Sequence, residues 1–119
     1  MGQPICYVEF GATDVPNAAH FYKTVFGWEF TDDTAVPYST FSSGDGLTGG
    51  IYKTEKVKPG GGVVIYILVE EIFAALAEIK KRGGSEVVAR AEIPGTGWYG
   101  HFTDPFGNLL GLFTPKTVA

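Results

Sequence analysis

The chain has 119 residues, 45% of them hydrophobic and 18% charged, with a net charge of −4. That is enough apolar material for the core of one compact domain, and it argues against disorder. The acidic balance without a basic patch leaves nucleic-acid binding unsupported, and the longest apolar run, Val63 to Val69, is too short to span a bilayer, so no membrane partner is expected.

In chain order, Ile5 to Phe10 reads as a strand, with Val8 and Phe10 alternating with Tyr7 and Glu9. Cys6 is the single cysteine, which excludes an internal disulfide and suits a reducing compartment. It alternates to the side of Val8 and reads as a small apolar core residue. No charged segment followed by an apolar run opens the sequence, so a cytoplasmic location is expected. Thr13 or Asp14 can cap a helix, with Pro16 in its first turn. Val15, Ala19, Tyr22 and Phe26 form its apolar stripe, and Gly27 ends it. Strands are expected at Trp28 to Thr31, Tyr38 to Ser42 and Leu47 to Tyr52, with Ser43-Gly44-Asp45-Gly46 as a turn.

Thr54 to Gly62 reads as a linker, after which the pattern restarts. Val63 to Val69 is a strand, and Glu70 and Glu71 open a helix striped by Ile72, Leu76 and Ile79. Gly83-Gly84 stop it, and strands follow at about Glu86 to Ala91, Trp98 to Thr103 and Asn108 to Phe113. A shift of 57 positions superposes the halves: Val8, Phe10 and Ala12 meet Ile65, Ile67 and Val69. Asp14 meets Glu71, and Gly27 meets Gly84. Agreement in strand period, helix period and stop signal reads as an internal duplication. The expected fold class is α+β, a single domain over residues 1–119. Unit one covers about 4–53, the linker about 54–62 and unit two about 63–115. Two βαβββ units would form a curved sheet trough with helices outside, lined by Tyr7, Glu9, Val64, Tyr66 and Leu68.

Phe21-Tyr22 with Phe26-Gly27-Trp28, the strand restart through Val69-Glu70-Glu71, and Asp104-Pro105-Phe106-Gly107-Asn108 carry a resemblance over residues 5–114. On these motifs the chain resembles the vicinal oxygen chelate superfamily, which includes glyoxalase I, extradiol dioxygenases and bleomycin-resistance proteins. The nearest likeness is to its small glyoxalase-like members. The resemblance implies a homodimer. It also implies metal-ligand positions: His or Gln on the first strand, His on the fifth, Glu on the last and a fourth ligand from unit one. Here the first-strand position is Tyr7, the fifth-strand position is Val64 and the last-strand position is Gly111. The fourth position has no secure alignment in the Gly-rich strand Leu47 to Tyr52. Divalent metals need His, carboxylate or thiolate donors, so no metal or other cofactor is expected.

Glu9 is a candidate general base in a half-closed trough, or a structural carboxylate bonded to Tyr66 or backbone. His101 is a candidate proton shuttle sharing its strand face with Tyr99 and Thr103, or a structural histidine. His20 reads as a surface residue of the first helix. Phe21 and Phe26 read as core or interface. The Asp104 to Asn108 segment reads as a structural turn. Trp28, Tyr38, Phe41, Trp98 and Tyr99 read either as trough lining or as ordinary core.

Three functions follow. The first is a metal-independent protein binding a small aromatic or apolar molecule through Tyr7, Glu9, Tyr66 and Trp98. The second is a glyoxalase-like lyase or isomerase in which Glu9 or His101 moves a proton beside a carbonyl, with any metal held by unusual ligands. The third is a non-catalytic interaction domain with a filled trough.

Overall fold

The computed structural model describes residues 2–33, 36–44 and 46–116. Its elements run β1 (Ile5–Ala12), α1 (Val15–Phe26), β2 (Glu29–Asp33), β3 (Tyr38–Ser42) and β4 (Thr48–Lys53). They continue with β5 (Val64–Leu68), α2 (Ile72–Lys81), β6 (Ser85–Ile93), β7 (Gly97–Thr103) and β8 (Leu109–Pro115). The chain divides into an N-terminal unit, Cys6–Val64, and a C-terminal unit from Ile65 onward that also takes in the first residues up to Ile5. The class is α+β, with strand, helix and three strands recurring in each half. Within the expected turn at 43–46, Asp45 lies outside the described residues.

In the N-terminal unit the strands lie in the order β2-β3-β4-β1. The β2/β3 and β3/β4 pairs are antiparallel, and β1 runs parallel to β4. Asp14 caps α1, its Oδ1 accepting from the Asn17 backbone N–H at 3.1 Å. Such a cap contributes about 1 kcal/mol. Gly27 adopts φ 74° and its N–H returns to the Lys23 carbonyl, closing the helix. The helix presents Val15, Ala18 and Tyr22 to Val8, Phe10, Ala12, Phe30, Phe41 and Ile51 of the sheet. Strand alternation thus puts even-numbered β1 residues under the helix and leaves Tyr7 and Glu9 on the other face.

Two readings that the sequence left open narrow here. Phe26 ends the α1 stripe but is 59% exposed, and Phe21 is 53% exposed. The helix terminates at Phe26, so its ring stacks on Tyr22 from outside instead of entering the core. Trp28 precedes β2 and stacks on Phe41 at 4.6 Å and on Tyr22 at 5.1 Å. Trp28 and Phe41 therefore belong to the helix-side core and line no trough.

In the C-terminal unit the order is β5-β8-β7-β6, with β5 parallel to β8 and the other pairs antiparallel. Glu71 caps α2, accepting from the Phe73 and Ala74 N–H groups at 3.0 Å each. Ile72 and Leu76 pack with Val69, Phe102 and Leu112, with Ile67 and Ile79 against them. The helix ends two residues earlier than the shift of 57 expects, at Lys81 with Arg82 as cap, and the left-handed glycine is Gly83, at φ 99°, one before Gly84. The Asp104–Asn108 segment is the β7–β8 turn. The Asp104 carboxylate accepts from Phe106 N, Asn108 N and Asn108 Nδ2 at 2.9–3.0 Å. Those bonds, led by the Asn108 side chain, hold its carboxyl below the usual carboxylate range.

Candidate functional site

The face of the N-terminal sheet opposite α1 carries a chain of hydroxyls ending on a carboxylate. Tyr7 and Tyr38 touch through their hydroxyl oxygens at 2.6 Å, and Tyr38 Oη donates to Glu9 Oε2 at 2.8 Å. All three side chains are half-buried. Strand order explains the meeting: β4 lies between β1 and β3, with Gly50 opposite both Glu9 and Thr40. Tyr38 reaches over Gly50 to the β1 residues. A Cβ at Gly50 would strike the Tyr38 phenol and come within 2.6 Å of Tyr7 Oη, so only glycine admits this arrangement.

Burial, the largest cause, pushes both phenols above their ordinary value of 10.0. For Tyr7 the bond to Tyr38 partly offsets burial, and the Glu9 charge adds to it. For Tyr38 the bond to Tyr7 and the Glu9 charge and hydrogen bond all push the same way. A phenol whose folded pKa is raised stabilises the fold below its unfolded pKa, near 10, and that contribution is lost as pH climbs above it. Tyr7 and Tyr38 are expected to ionise only as the protein unfolds in alkali. Tyrosinate absorbance followed beside circular dichroism, in the parent and in Tyr7→Phe and Tyr38→Phe, checks this. Ionisation of either phenol near pH 10 with the fold intact would contradict it.

The C-terminal sheet carries a second tyrosine site. Tyr66 Oη and His101 Nε2 are 2.8 Å apart, and Tyr99 meets the His101 ring edge-on at 5.6 Å. Tyr66 on β5 and His101 on β7 both lie opposite Gly111 of the intervening β8. The Tyr66 ring occupies the space a Gly111 side chain would need. Tyr66 is buried and His101 half-buried.

Of the four expected ligand-binding residues, Tyr7 and Glu9 share the first cluster, and Tyr66 stands in the second beside the expected proton carrier His101. Trp98 is placed elsewhere. Even-numbered β7 residues turn toward α2, and Trp98 packs on the helix-side core. Its ring is covered by the Arg90 guanidinium at 4.5 Å, which also lies 4.9 Å from Phe73 and 3.8 Å from the Glu71 carboxylate. The ring face that would stack on a ligand is thus used in a cation–π contact. Sequence reasoning named Tyr38 as a possible lining residue but missed its contact with Tyr7 and Glu9, for which Gly50 was the available signal. His20 is exposed on α1.

Strand register relates two glycines of the halves: Glu9 pairs with Gly50, and Tyr66, 57 residues further on, pairs with Gly111. Gly50 is therefore the first-half counterpart of Gly111. The residues that the resemblance puts at metal positions are Tyr7, Val64 and Gly111, and their side chains do not suit a divalent cation. Val and Gly offer no side-chain donor, and a protonated phenol is a poor one. Tyrosine rings lie over both glycines. Among the described residues, no three His, Cys, Asp or Glu side chains cluster where an ion could be held.

Comparison with known proteins agrees with this architecture. A family model described as the Glyoxalase/Bleomycin resistance protein/Dioxygenase superfamily matches residues 5–112. A "Glyoxylase-like domain-containing protein" of Didymella fabae is 33% identical over 88 residues, covering 67% of this chain and 68% of that protein. The "Putative glyoxylase CFP32" of Mycobacterium bovis is 29% identical over 115 residues; the match covers 90% of this chain and only 44% of that relative's length. In fold, the chain is similar to a glyoxalase/bleomycin resistance protein/dioxygenase superfamily member from Vibrio splendidus 12B01. The TM-score is 0.71 at 16% identity, covering 95% of this chain and 99% of the other. The duplicated strand-helix-three-strand pattern, the turn at Asp104–Asn108 and the match over nearly the whole length place this chain in the Glyoxalase/Bleomycin resistance protein/Dioxygenase superfamily.

Proposed function

We propose that this chain binds a small aromatic or apolar molecule on the tyrosine-bearing sheet face of its N-terminal unit, without the superfamily's usual metal. The observation that carries the reading is the occupation of the Gly50 position by the Tyr7–Tyr38–Glu9 chain. Where a metal-binding relative would present a donor, this chain presents aromatic surface and a hydrogen-bonded carboxylate. Such a mixture of apolar area and a few placed polar groups suits a small organic ligand. The test is a screen of planar aromatic alcohols, amines and acids against chelator-treated protein, followed by amide NMR shifts. Saturable binding that moves Tyr7, Glu9 and Tyr38 is expected. A library that leaves those residues unmoved, or binding that appears only after Mn²⁺ or Zn²⁺ is restored, overturns the reading.

The Tyr66–His101 contact favours a second reading, proton transfer beside a carbonyl. The imidazole of His101 would take the proton, while the Tyr66 phenol, bonded at Nε2, would hold the ring in place. That reading requires deuterium to enter the α-carbon of a bound 2-oxo compound in D₂O, at a rate that falls in His101→Asn. Exchange no faster than in buffer sinks it.

A further inference from the structure

The β7–β8 turn of the C-terminal unit carries a side chain that the turn itself does not use. Asp104 accepts the hydrogen bonds, Asn108 donates two of them, Pro105 fixes a dihedral angle and Gly107 takes φ 94°. Phe106 supplies only its backbone N–H. It is 89% exposed, more than any other large hydrophobic among the described residues. The bonds beneath it fix the backbone, so the ring is presented with little order left to pay on binding. Beside it, between the end of α2 and the turn, lies an open cleft of about 220 Å³. Ile79, Phe102 and Pro105 give it apolar walls, and Glu78 and Arg82, also at the cleft, are paired with each other at 2.6 Å. A dry apolar cavity of roughly 150 Å³ admits benzene, so this cleft has room for one phenyl ring.

We propose that the β7–β8 turn and the end of α2 form a docking surface for a second copy of this chain, with the Phe106 ring of each copy seated in the other's cleft. Knob and hole are neighbours on one surface, and the exposed ring leaves its own cleft open. A two-fold axis sets such a patch against itself, so that each copy gives a ring and receives one. That equal count is what favours a second copy over an unlike partner. A ring contributes about 150–250 Å² at most, which keeps the whole contact under the roughly 1,200 Å² of a stable interface. Association is therefore weak and depends on concentration. The proposal stands apart from the small-molecule reading, which concerns the N-terminal sheet.

Sedimentation of the full chain from about 10 μM to about 1 mM, the span of a weak interface, is the test. A monomer passing to a dimer, with no larger species, is expected. Amide NMR shifts of Ile79, Phe102 and Phe106 should grow over the same concentrations. Phe106→Ser, at a position outside the core, is expected to weaken the dimer at least about tenfold and to leave the unfolding temperature unchanged. Phe106→Tyr keeps the ring and should keep the dimer. A monomer at every concentration overturns the proposal, and so does a dimer that Phe106→Ser leaves intact, which would place the contact on another face. Growth into larger species excludes the two-fold pairing. Shifts that appear with concentration but spare Ile79 and Phe102 exclude the cleft.

Discussion

Gly111→Glu, which installs the residue that metal-binding relatives are expected to carry, should destabilise this protein and should not give it a metal. A Cβ at position 111 would collide with the Tyr66 ring at Cδ2 and Cε2 and lie 2.9 Å from Cγ. Contact with Cγ means that the ring cannot escape by moving only its tip. It must swing away from β8, and its 2.8 Å hydrogen bond to His101 goes with it. Overpacking of this kind costs about 1–3 kcal/mol and the lost bond about 1 more, together roughly 10 °C in Tm. Gly111→Ala isolates the steric part and should lose most of the same stability. The double variant Gly111→Glu/Tyr66→Ala removes the collision and should regain stability relative to Gly111→Glu alone. Thermal unfolding of the three proteins decides the matter, and a Gly111→Glu protein as stable as the parent would contradict the placement of Tyr66.

A larger loss is expected from Ile72→Ala. Ile72 is 0% exposed and sits at the first turn of α2, where it joins Val69, Leu76, Phe102 and Leu112. Truncation removes three carbons from a closed core and leaves a cavity, at a cost of about 2–5 kcal/mol. Small domains are stable by only about 5–15 kcal/mol, so the loss is a large share of the total. Ile72→Val removes a single methylene and should cost about 0.5–1.5 kcal/mol. Chemical denaturation of both variants provides the comparison. Equal losses for Ala and Val would mean that the core collapses around the site and that the packing described for α2 is looser than stated.

Local chemistry in the sequence was enough for the helices and for most strands. Asp14 and Glu71 announce helix starts because a carboxylate placed just before an apolar stripe can satisfy the first free N–H groups, and both do so. The Gly83-Gly84 pair gave the second helix stop only to within a residue, because either glycine can take the left-handed conformation. The choice of Gly83 is tertiary: a Cβ at Gly84 would lie 2.8 Å from the Thr103 carbonyl oxygen, so Gly84 is committed to close approach instead. Alternation already separated Trp98 from Tyr99 and His101. Its place among the ligand-binding residues came from its aromatic character and ignored its strand face, which turns toward Arg90 and α2.

Two of the three residues of the first tyrosine site, and both of the second, were legible. Tyr7, Glu9, Tyr66 and His101 stand on predictable strand faces. What brings Tyr38 to Glu9, and Tyr66 to His101, is a glycine on a strand lying between them. That strand pairs in parallel with one far away in sequence. No window of local periodicity reports such a pairing, and the aligned halves expose it only once the register is known. The same register makes Gly50 the counterpart of Gly111, a correspondence that the Gly-rich β4 sequence left without an anchor.

The central proposal is that this chain works without the superfamily's usual metal, with tyrosines lying over Gly50 and Gly111. Its most direct test is calorimetric titration of chelator-treated protein with Mn²⁺, Zn²⁺ and Ni²⁺ in turn. The account predicts no stoichiometric site for any of the three ions. One ion bound per chain, with binding abolished by Tyr7→Phe or Glu9→Gln, would contradict it.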